Sequence, residues 1–111
     1  MNPATVRAAW WALRALRSAR EQLSAGRLHD VALPAPPRVP ESALRGVEAV
    51  LRRRRNSCLE RAMLLQDWHA SHGRALDVLV GVTGSDGFGA HAWLEDEPAP
   101  ARFAELFRVS P

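Results

Sequence analysis

The hydrophobic period of this sequence changes once, at Gly73, and that change restricts the possible fold more than any other feature. Before Gly73, apolar residues recur at helical spacing. After it, residues 75–83 form a run of β-branched and apolar side chains that is typical of a strand. A chain of 111 residues is expected to form one domain. The order predicts an α+β domain in which N-terminal helices pack on a small antiparallel sheet.

Three helices are predicted before Gly73, and they cover residues 3–23, 41–54 and 58–71. The third helix starts after Asn56 and Ser57, and either of these side chains is able to cap it. Four prolines within residues 34–40 preclude a regular helix there. Residues 24–40 are therefore predicted to form an extended connector between the first two helices.

Three strands are predicted after Gly73, and they cover residues 75–83, 88–95 and 102–109. Residues 84–87 and 98–100 supply Gly and Pro for the two turns. Short turns favour an antiparallel meander with the second strand in the middle. With the second turn centred near Pro98, His91 would face Glu105 across the ladder.

The charge of the chain is unevenly distributed, and all 15 basic residues are Arg. Residues 1–61 hold 12 Arg and 5 acids, whereas residues 62–111 hold 3 Arg and 7 acids. The absence of Lys reflects genome composition more than a physical demand, so the basic charge is weak evidence for a nucleic-acid partner. No apolar run is long enough to span a membrane, and Arg residues interrupt the N-terminal segment where a secretory signal would be apolar. These features predict a cytoplasmic protein.

The single cysteine, Cys58, is the candidate nucleophile. One cysteine excludes an intrachain disulfide and a thiolate zinc cluster. Cys58 lies at the start of the third predicted helix, where the helix dipole and the Arg run at residues 52–55 favour the thiolate. The alternative is that Cys58 is an inert packing residue.

A base for Cys58 is chosen among four His residues. His69 and His72 lie about 16 Å and 21 Å along the same helix, which is too far, and they are expected to lie at a solvated helix end rather than in a metal site. His29 lies near the flexible connector. His91 is left as the candidate base, in a strand between two Ala residues.

Three segments resemble the C-terminal domain of the lasso peptide leader peptidases. They are N-S-C-L-E-R-A from Asn56, the Gly-Val pair at 81–82, and A-H-A-W-L-E at 90–95. This family belongs to the transglutaminase-like cysteine peptidases, which have a papain-like core, and includes the microcin-processing enzymes. The resemblance covers residues 50–109. It implies a single domain, 1–111, with helices and a Pro-rich connector in residues 1–49 and the catalytic core in residues 50–111.

The resemblance implies a function and partners. Cys58 would be the nucleophile and His91 the base in removing the leader from a ribosomally synthesised precursor peptide, with no cofactor. A separate recognition protein would present the leader, and an asparagine-synthetase-like cyclase would close the macrolactam ring. The alternative is a non-catalytic adaptor of the same fold that binds the leader or its recognition protein.

The third catalytic residue departs from the family pattern. The family commonly has an Asp about a dozen residues after the His, where this chain has Phe103. Glu105 is the candidate because of the predicted pairing with His91. Asp96, or no acid at all, is the alternative.

One face of the first helix looks suited to a partner. Trp10 and Trp11 flank the side that carries Arg7, Arg14 and Arg17, away from the Ala and Leu residues. Because Trp and Arg are common anchors at interfaces, this face is predicted to dock the recognition protein or the leader. The alternative is that both Trp side chains belong to the core.

Overall fold

A computed structural model describes residues 2–83, 90–100 and 103–111. Its elements are α1 (Pro3–Ser24), α2 (Leu44–Arg53), α3 (Cys58–Ser71), β1 (Val78–Thr83), β2 (Ala90–Leu94) and β3 (Phe103–Val109). The predicted α+β class is confirmed, and the helix bounds agree closely with those expected. The predicted turn at residues 84–87 lies outside the described residues, as do the first residues expected for β2 and β3.

Helix α1 is capped at its start and is buried along a stripe in which four of the six residues are Ala. Asn2 Oδ1 accepts hydrogen bonds from the N–H and the hydroxyl of Thr5, at 2.8 and 2.9 Å, and Pro3 occupies the first turn. The stripe consists of Ala8, Trp11, Ala12, Ala15, Leu16 and Ala19. Such small residues allow α2 and α3 to pack close to α1.

The connector crosses the surface without regular structure from residue 31 to residue 40 apart from one bend, as the prolines predict. Trp11 Nε1 donates to the carbonyl of Pro34 at 2.8 Å, and Gln22 binds the backbone of Ala32 through both its amide nitrogen and its amide oxygen. On the other side, His72 Nε2 lies 3.0 Å from the carbonyl oxygen of Val39. These bonds hold the connector to α1 and to α3.

Trp11 belongs to the core, so its predicted place on a docking face is wrong. It is only 3% exposed, and its ring centroid lies 5.9 Å from that of Trp68. The connector covers this side of α1 and accepts the indole N–H. A helical wheel assigns residues to sides of a helix, but it does not show how many sides the rest of the chain covers.

The sheet has the order β2-β1-β3, so the predicted meander with β2 in the middle is wrong. Both pairings of β1 are antiparallel, and Val78 lies opposite Leu94 on one side and Val109 on the other. The residues of β1 carry no charge, whereas β3 carries Glu105 and Arg108. Uncharged strands suit a central position, and charged side chains are tolerated at the edges.

The helices cover one face of this sheet. Core residues on that face include Val78, Ala92, Leu94 and Val109. Helix α3 packs mainly along β2, and Gln66 Nε2 donates to the carbonyls of Leu76 and Val109 at 2.9 and 2.8 Å. None of the helices described here is long and apolar enough to cross a membrane.

Candidate active site

Cys58 is the first residue of α3, half-buried against the hydrophobic core. The residue before it caps the helix: Ser57 Oγ accepts the N–H of Glu60 at 3.1 Å, and the Glu60 carboxylate accepts the N–H of Ser57 at 2.8 Å. This reciprocal capping box confirms the predicted helix start and Ser57 as its cap. Asn56 instead donates to the carbonyls of Leu51 and Arg54, both at 2.8 Å, and so closes α2.

A side chain from α1 also holds the start of α3. Arg20 Nε lies 3.3 Å from Glu60 Oε2, and its guanidinium donates to the carbonyl of Arg55. The capping carboxylate is therefore bound to two elements at once. The backbone around Cys58 is fixed by contacts that reach across 40 residues of sequence.

The Arg run at residues 52–55 is exposed along its whole length. Arg52 and Arg53 form the last turn of α2, where positive charge is favourable against the helix dipole. Such exposure is typical of a solvated helix end. The run also puts positive charge immediately before Cys58.

His91 is the second residue of β2, half-buried and opposite Gly81. Its ring stacks on that of Trp93, with centroids 6.0 Å apart and an angle of 17° between the planes. Because Ala92 and Leu94 face the helices, strand alternation assigns His91 and Trp93 to the other face. Within the described sheet, β2 is an edge strand, so the backbone of His91 pairs with a neighbouring strand on one side only.

Helix α3 and strand β2 run in the same direction. Leu65 and Leu94 line one cavity, and beyond them Arg74 binds Asp96 at 2.9 Å. Cys58 lies seven residues before Leu65, or about 10 Å along the helix. His91 lies three residues before Leu94, also about 10 Å along the strand. The two candidates therefore lie at the same end of the α3–β2 pair.

The predicted direct pairing of His91 with Glu105 is wrong because β2 and β3 are not neighbours. Gly81 of β1 lies opposite both residues, which separates their backbones by two strand spacings, about 10 Å. The indole of Trp93 fills the space above Gly81, since a Cβ there would lie 2.8 Å from its ring. The orienting role of Glu105 stays a prediction.

Glu105 has another partner in the structure. A bulge opposite Val80 and Gly81 adds one residue to β3, so that Glu105 and Arg108 share a face despite their spacing of three. Arg108 Nε donates to the Glu105 carboxylate at 2.8 Å, and this hydrogen bond holds the pKa of Glu105 below its usual value. The carboxylate is exposed.

Glu97 is the acid that sequence reasoning missed. Its carboxylate accepts the N–H of Leu94 at 2.9 Å and lies 3.1 Å from a guanidinium nitrogen of Arg61, one turn after Cys58. Burial raises the pKa of Glu97, but the bonds from Arg61 and Leu94 and the charge of His91 outweigh burial and lower it. Three consecutive acids at residues 95–97 offered no basis for choosing among them.

His69 and His72 differ from the expected solvated helix end. His69 is only 9% exposed, and its burial lowers its pKa. His72 bonds the carbonyls of Trp68 and Val39, which raise its pKa. Among the described residues, no group of three or more His, Cys, Asp or Glu is arranged to hold a metal ion.

The family model described as "Transglutaminase-like superfamily" matches residues 3–105. The chain belongs to this superfamily. The match runs from α1 into β3, so it includes α1 and the connector, which the resemblance over residues 50–109 did not cover. No curated protein and no solved structure matches the chain. The superfamily includes cysteine peptidases. Because such an enzyme needs a cysteine nucleophile, Cys58 is the candidate in this chain.

Proposed function

We propose that this protein is a cysteine peptidase that removes the leader from a ribosomally synthesised lasso precursor peptide. The observation that carries the proposal is Cys58, the only cysteine, in the first turn of a reciprocally capped helix of a transglutaminase-like domain. Reactive cysteines are commonly found at the N-terminus of a helix. The sequence resemblance to the leader peptidases supports the substrate.

The proposed reaction has two steps. The Cys58 thiolate attacks the scissile carbonyl carbon, the C–N bond breaks, and His91 gives its proton to the leaving amine. Water then attacks the thioester and His91 accepts its proton; the C–S bond breaks, which releases the leader as a carboxylate and returns the Cys58 sulfur. The N–H groups in the first turn of a helix lack intrahelical acceptors, so that of Cys58 is suited to stabilise the oxyanion.

A groove that includes Arg55, three residues before Cys58 in the chain, supports a peptide substrate and a protein partner. It lies between α1 and the residues before α3, has a volume of about 830 Å³, and contains Trp10, Arg14, Arg17, Arg54 and Arg55. We name it the Trp10 groove. Trp10 is 65% exposed, and the groove ends three residues before Cys58. We propose that it docks the leader, or the recognition protein that carries it.

The cyclase of the proposed pathway acts after this protein. Cleavage at the leader–core junction leaves a free amine at the start of the core peptide. An asparagine-synthetase-like cyclase consumes that amine when it closes the macrolactam. The partners of the protein are therefore proposed to be the leader, its recognition protein and the cyclase.

The function is tested by mass spectrometry of a lasso precursor incubated with the protein and the recognition protein. Cys58→Ala is expected to abolish cleavage because it removes the nucleophile. His91→Ala is expected to lower the rate by about a hundredfold or more, the usual scale of general base catalysis. His29→Ala is the matched control, since His29 is exposed on the connector, and it is expected to cleave at the wild-type rate.

Two outcomes contradict parts of this proposal. Cleavage by His91→Ala above about a tenth of the wild-type rate would show that His91 is not the base. An inactive wild-type protein that still binds the leader, with a Cys58 that reacts with iodoacetamide no faster than free cysteine, would support the adaptor instead.

A further inference from the structure

A second cavity, of about 450 Å³, lies between α2, α3 and the turn after β2. Its apolar part is formed by Leu44, Leu51, Leu65 and Leu94. Its volume is in the range of sites that hold small ligands or short peptide segments. Arg61 is at the end of the cavity nearer Cys58, and His69 is at the far end.

The polar groups of this cavity largely neutralise one another. Arg61 is paired with Glu97, and Asp96 is paired with Arg74. The two remaining charged side chains, Glu48 and Arg52, are exposed and of opposite sign. The positive and negative charges around the cavity therefore balance, and its apolar surface is formed by leucine side chains. Such a cavity favours an uncharged aliphatic group over an ion.

His69 supplies one hydrogen-bond donor to the cavity. Its Nδ1 is buried without a hydrogen-bond partner among the described residues, while the ring lines the cavity. Burial favours the neutral ring, which carries one N–H and one acceptor nitrogen. A proton on Nδ1 would be a buried donor with no acceptor, which is costly, so we assign the proton to Nε2.

The cavity and Cys58 share one face of α3. At 100° per residue, the side chains of Cys58, Leu65 and His69 lie within a narrow range of angles around the helix axis. Leu65 lies about 10 Å along the helix from Cys58, a distance that an extended peptide covers in about three residues. A peptide bound with its scissile carbonyl at Cys58 therefore reaches the cavity within three residues of the cut.

We propose that this cavity is a specificity pocket for a branched aliphatic side chain of the peptide, located within three residues of the bond that is cut. The four leucines bury the side chain, and His69 Nε2–H donates to a main-chain carbonyl of the same peptide. This inference rests on the proposed peptidase function. It adds the class of residue that the substrate presents next to the cleavage site.

The first test fills the cavity. Leu51→Phe places a ring in it from α2, and Leu28→Phe is the matched control because Leu28 lines a different cavity on the opposite side of α3. Otherwise identical precursors carry Leu or Ala at each of the three positions on either side of the cut. The wild type is expected to prefer Leu over Ala by about tenfold in kcat/KM at one position, and Leu51→Phe is expected to lose that preference while Leu28→Phe keeps it.

The second test does not need cleavage. The inactive Cys58→Ala variant is titrated with the Leu precursor, and the ¹⁵N resonances of the His69 ring are followed by NMR. The Nε2 resonance is expected to shift on binding of the Leu precursor and to shift less with the Ala precursor.

The outcomes separate this inference from the proposed function. If the wild type cuts no precursor but the His69 resonance shifts with the Leu precursor, the proposed peptidase function is overturned and the proposed pocket is retained. If the wild type cuts the Leu and Ala precursors equally well at all six positions and the His69 resonance does not shift, the proposed pocket is overturned and the proposed peptidase function is retained.

Discussion

The three acids considered as partners of His91 are each paired with a different Arg residue. Glu105 binds Arg108, Asp96 binds Arg74, and Glu97 binds Arg61. The charge of His91 helps to lower the pKa of Glu97. Its carboxylate also reaches α3 one turn after Cys58, so it connects the strand of the proposed base to the helix of the proposed nucleophile.

At the residue scale, Glu97→Gln is expected to lower the cleavage rate more than Glu105→Gln or Asp96→Asn. The reason is that the charge of His91 acts on Glu97, whereas Trp93 and Gly81 separate Glu105 from His91. The measurement is kcat on a lasso precursor, with melting temperatures for every variant. Arg61→Gln is the matched control, because it removes the same ion pair and leaves the carboxylate.

Two results would contradict this assignment. Equal losses of kcat in Glu97→Gln and Arg61→Gln would mean that the ion pair matters only for the structure. A larger loss in Glu105→Gln would restore Glu105, the acid predicted from strand pairing, as the third catalytic residue.

At the element scale, the crossing of α1 and α2 depends on one missing side chain. A Cβ at Gly46 would overlap the carbonyl oxygen of Thr5 and press on the backbone nitrogen of Ala9. Both contacts are with backbone, which does not move aside as a flexible side chain does. The crossing positions α2, and α2 contributes Leu44, Leu51 and Arg52 to the proposed specificity pocket.

Gly46→Ala is therefore expected to lower the free energy of unfolding by about 1–3 kcal/mol, the usual cost of overpacking. Helix propensity alone predicts the opposite sign, a gain of about 0.8–1.0 kcal/mol. Urea denaturation measures the change, and Arg45→Ala at the exposed neighbouring position is the control. A Gly46→Ala protein as stable as the wild type would show that the two helices do not cross as closely as described.

At the scale of the whole molecule, positive charge is concentrated in residues 1–61, with 12 of the 15 Arg residues. The tertiary structure collects part of it in the Trp10 groove, where Arg14 and Arg17 of α1 meet Arg54 and Arg55. Acids are concentrated in residues 62–111. An acidic peptide is therefore expected to approach the groove in preference to the sheet.

Binding in this groove is expected to protect Trp10 from iodide quenching. The other three tryptophans, Trp11, Trp68 and Trp93, are buried, so quenching reports on Trp10. Trp10→Ala is expected to weaken leader or recognition-protein binding by about 2 kcal/mol, the scale of an interface anchor, with an unchanged melting temperature. Added salt is expected to weaken binding because Arg side chains supply part of the attraction.

Val6→Ala is the control for the Trp10 variant, since Val6 is also exposed on α1. A large fall in melting temperature with unchanged affinity would contradict the docking role of Trp10. Equal protection of Trp10 by duplex DNA at the same salt concentration would point to a nucleic-acid partner instead.

Local sequence patterns were enough to predict the helices, the extended connector and the position of Cys58 at a helix start. These features depend on local chemistry: a Ser followed three residues later by Glu makes a cap, and Pro excludes a helix, whatever the rest of the chain does. For the same reason the α+β class and the transglutaminase-like resemblance were readable from the order of the segments.

Contacts between distant segments depended on how the whole chain packs. The strand order placed β1 between Glu105 and His91, and the turn after β2 brought Glu97 to Arg61 of α3. The connector buried Trp11 while leaving Trp10 exposed, and the turn after β2 enclosed His69. Periodicity assigns a side chain to one side of its own element, but burial depends on which other elements cover that side, and this is set by packing of the whole chain.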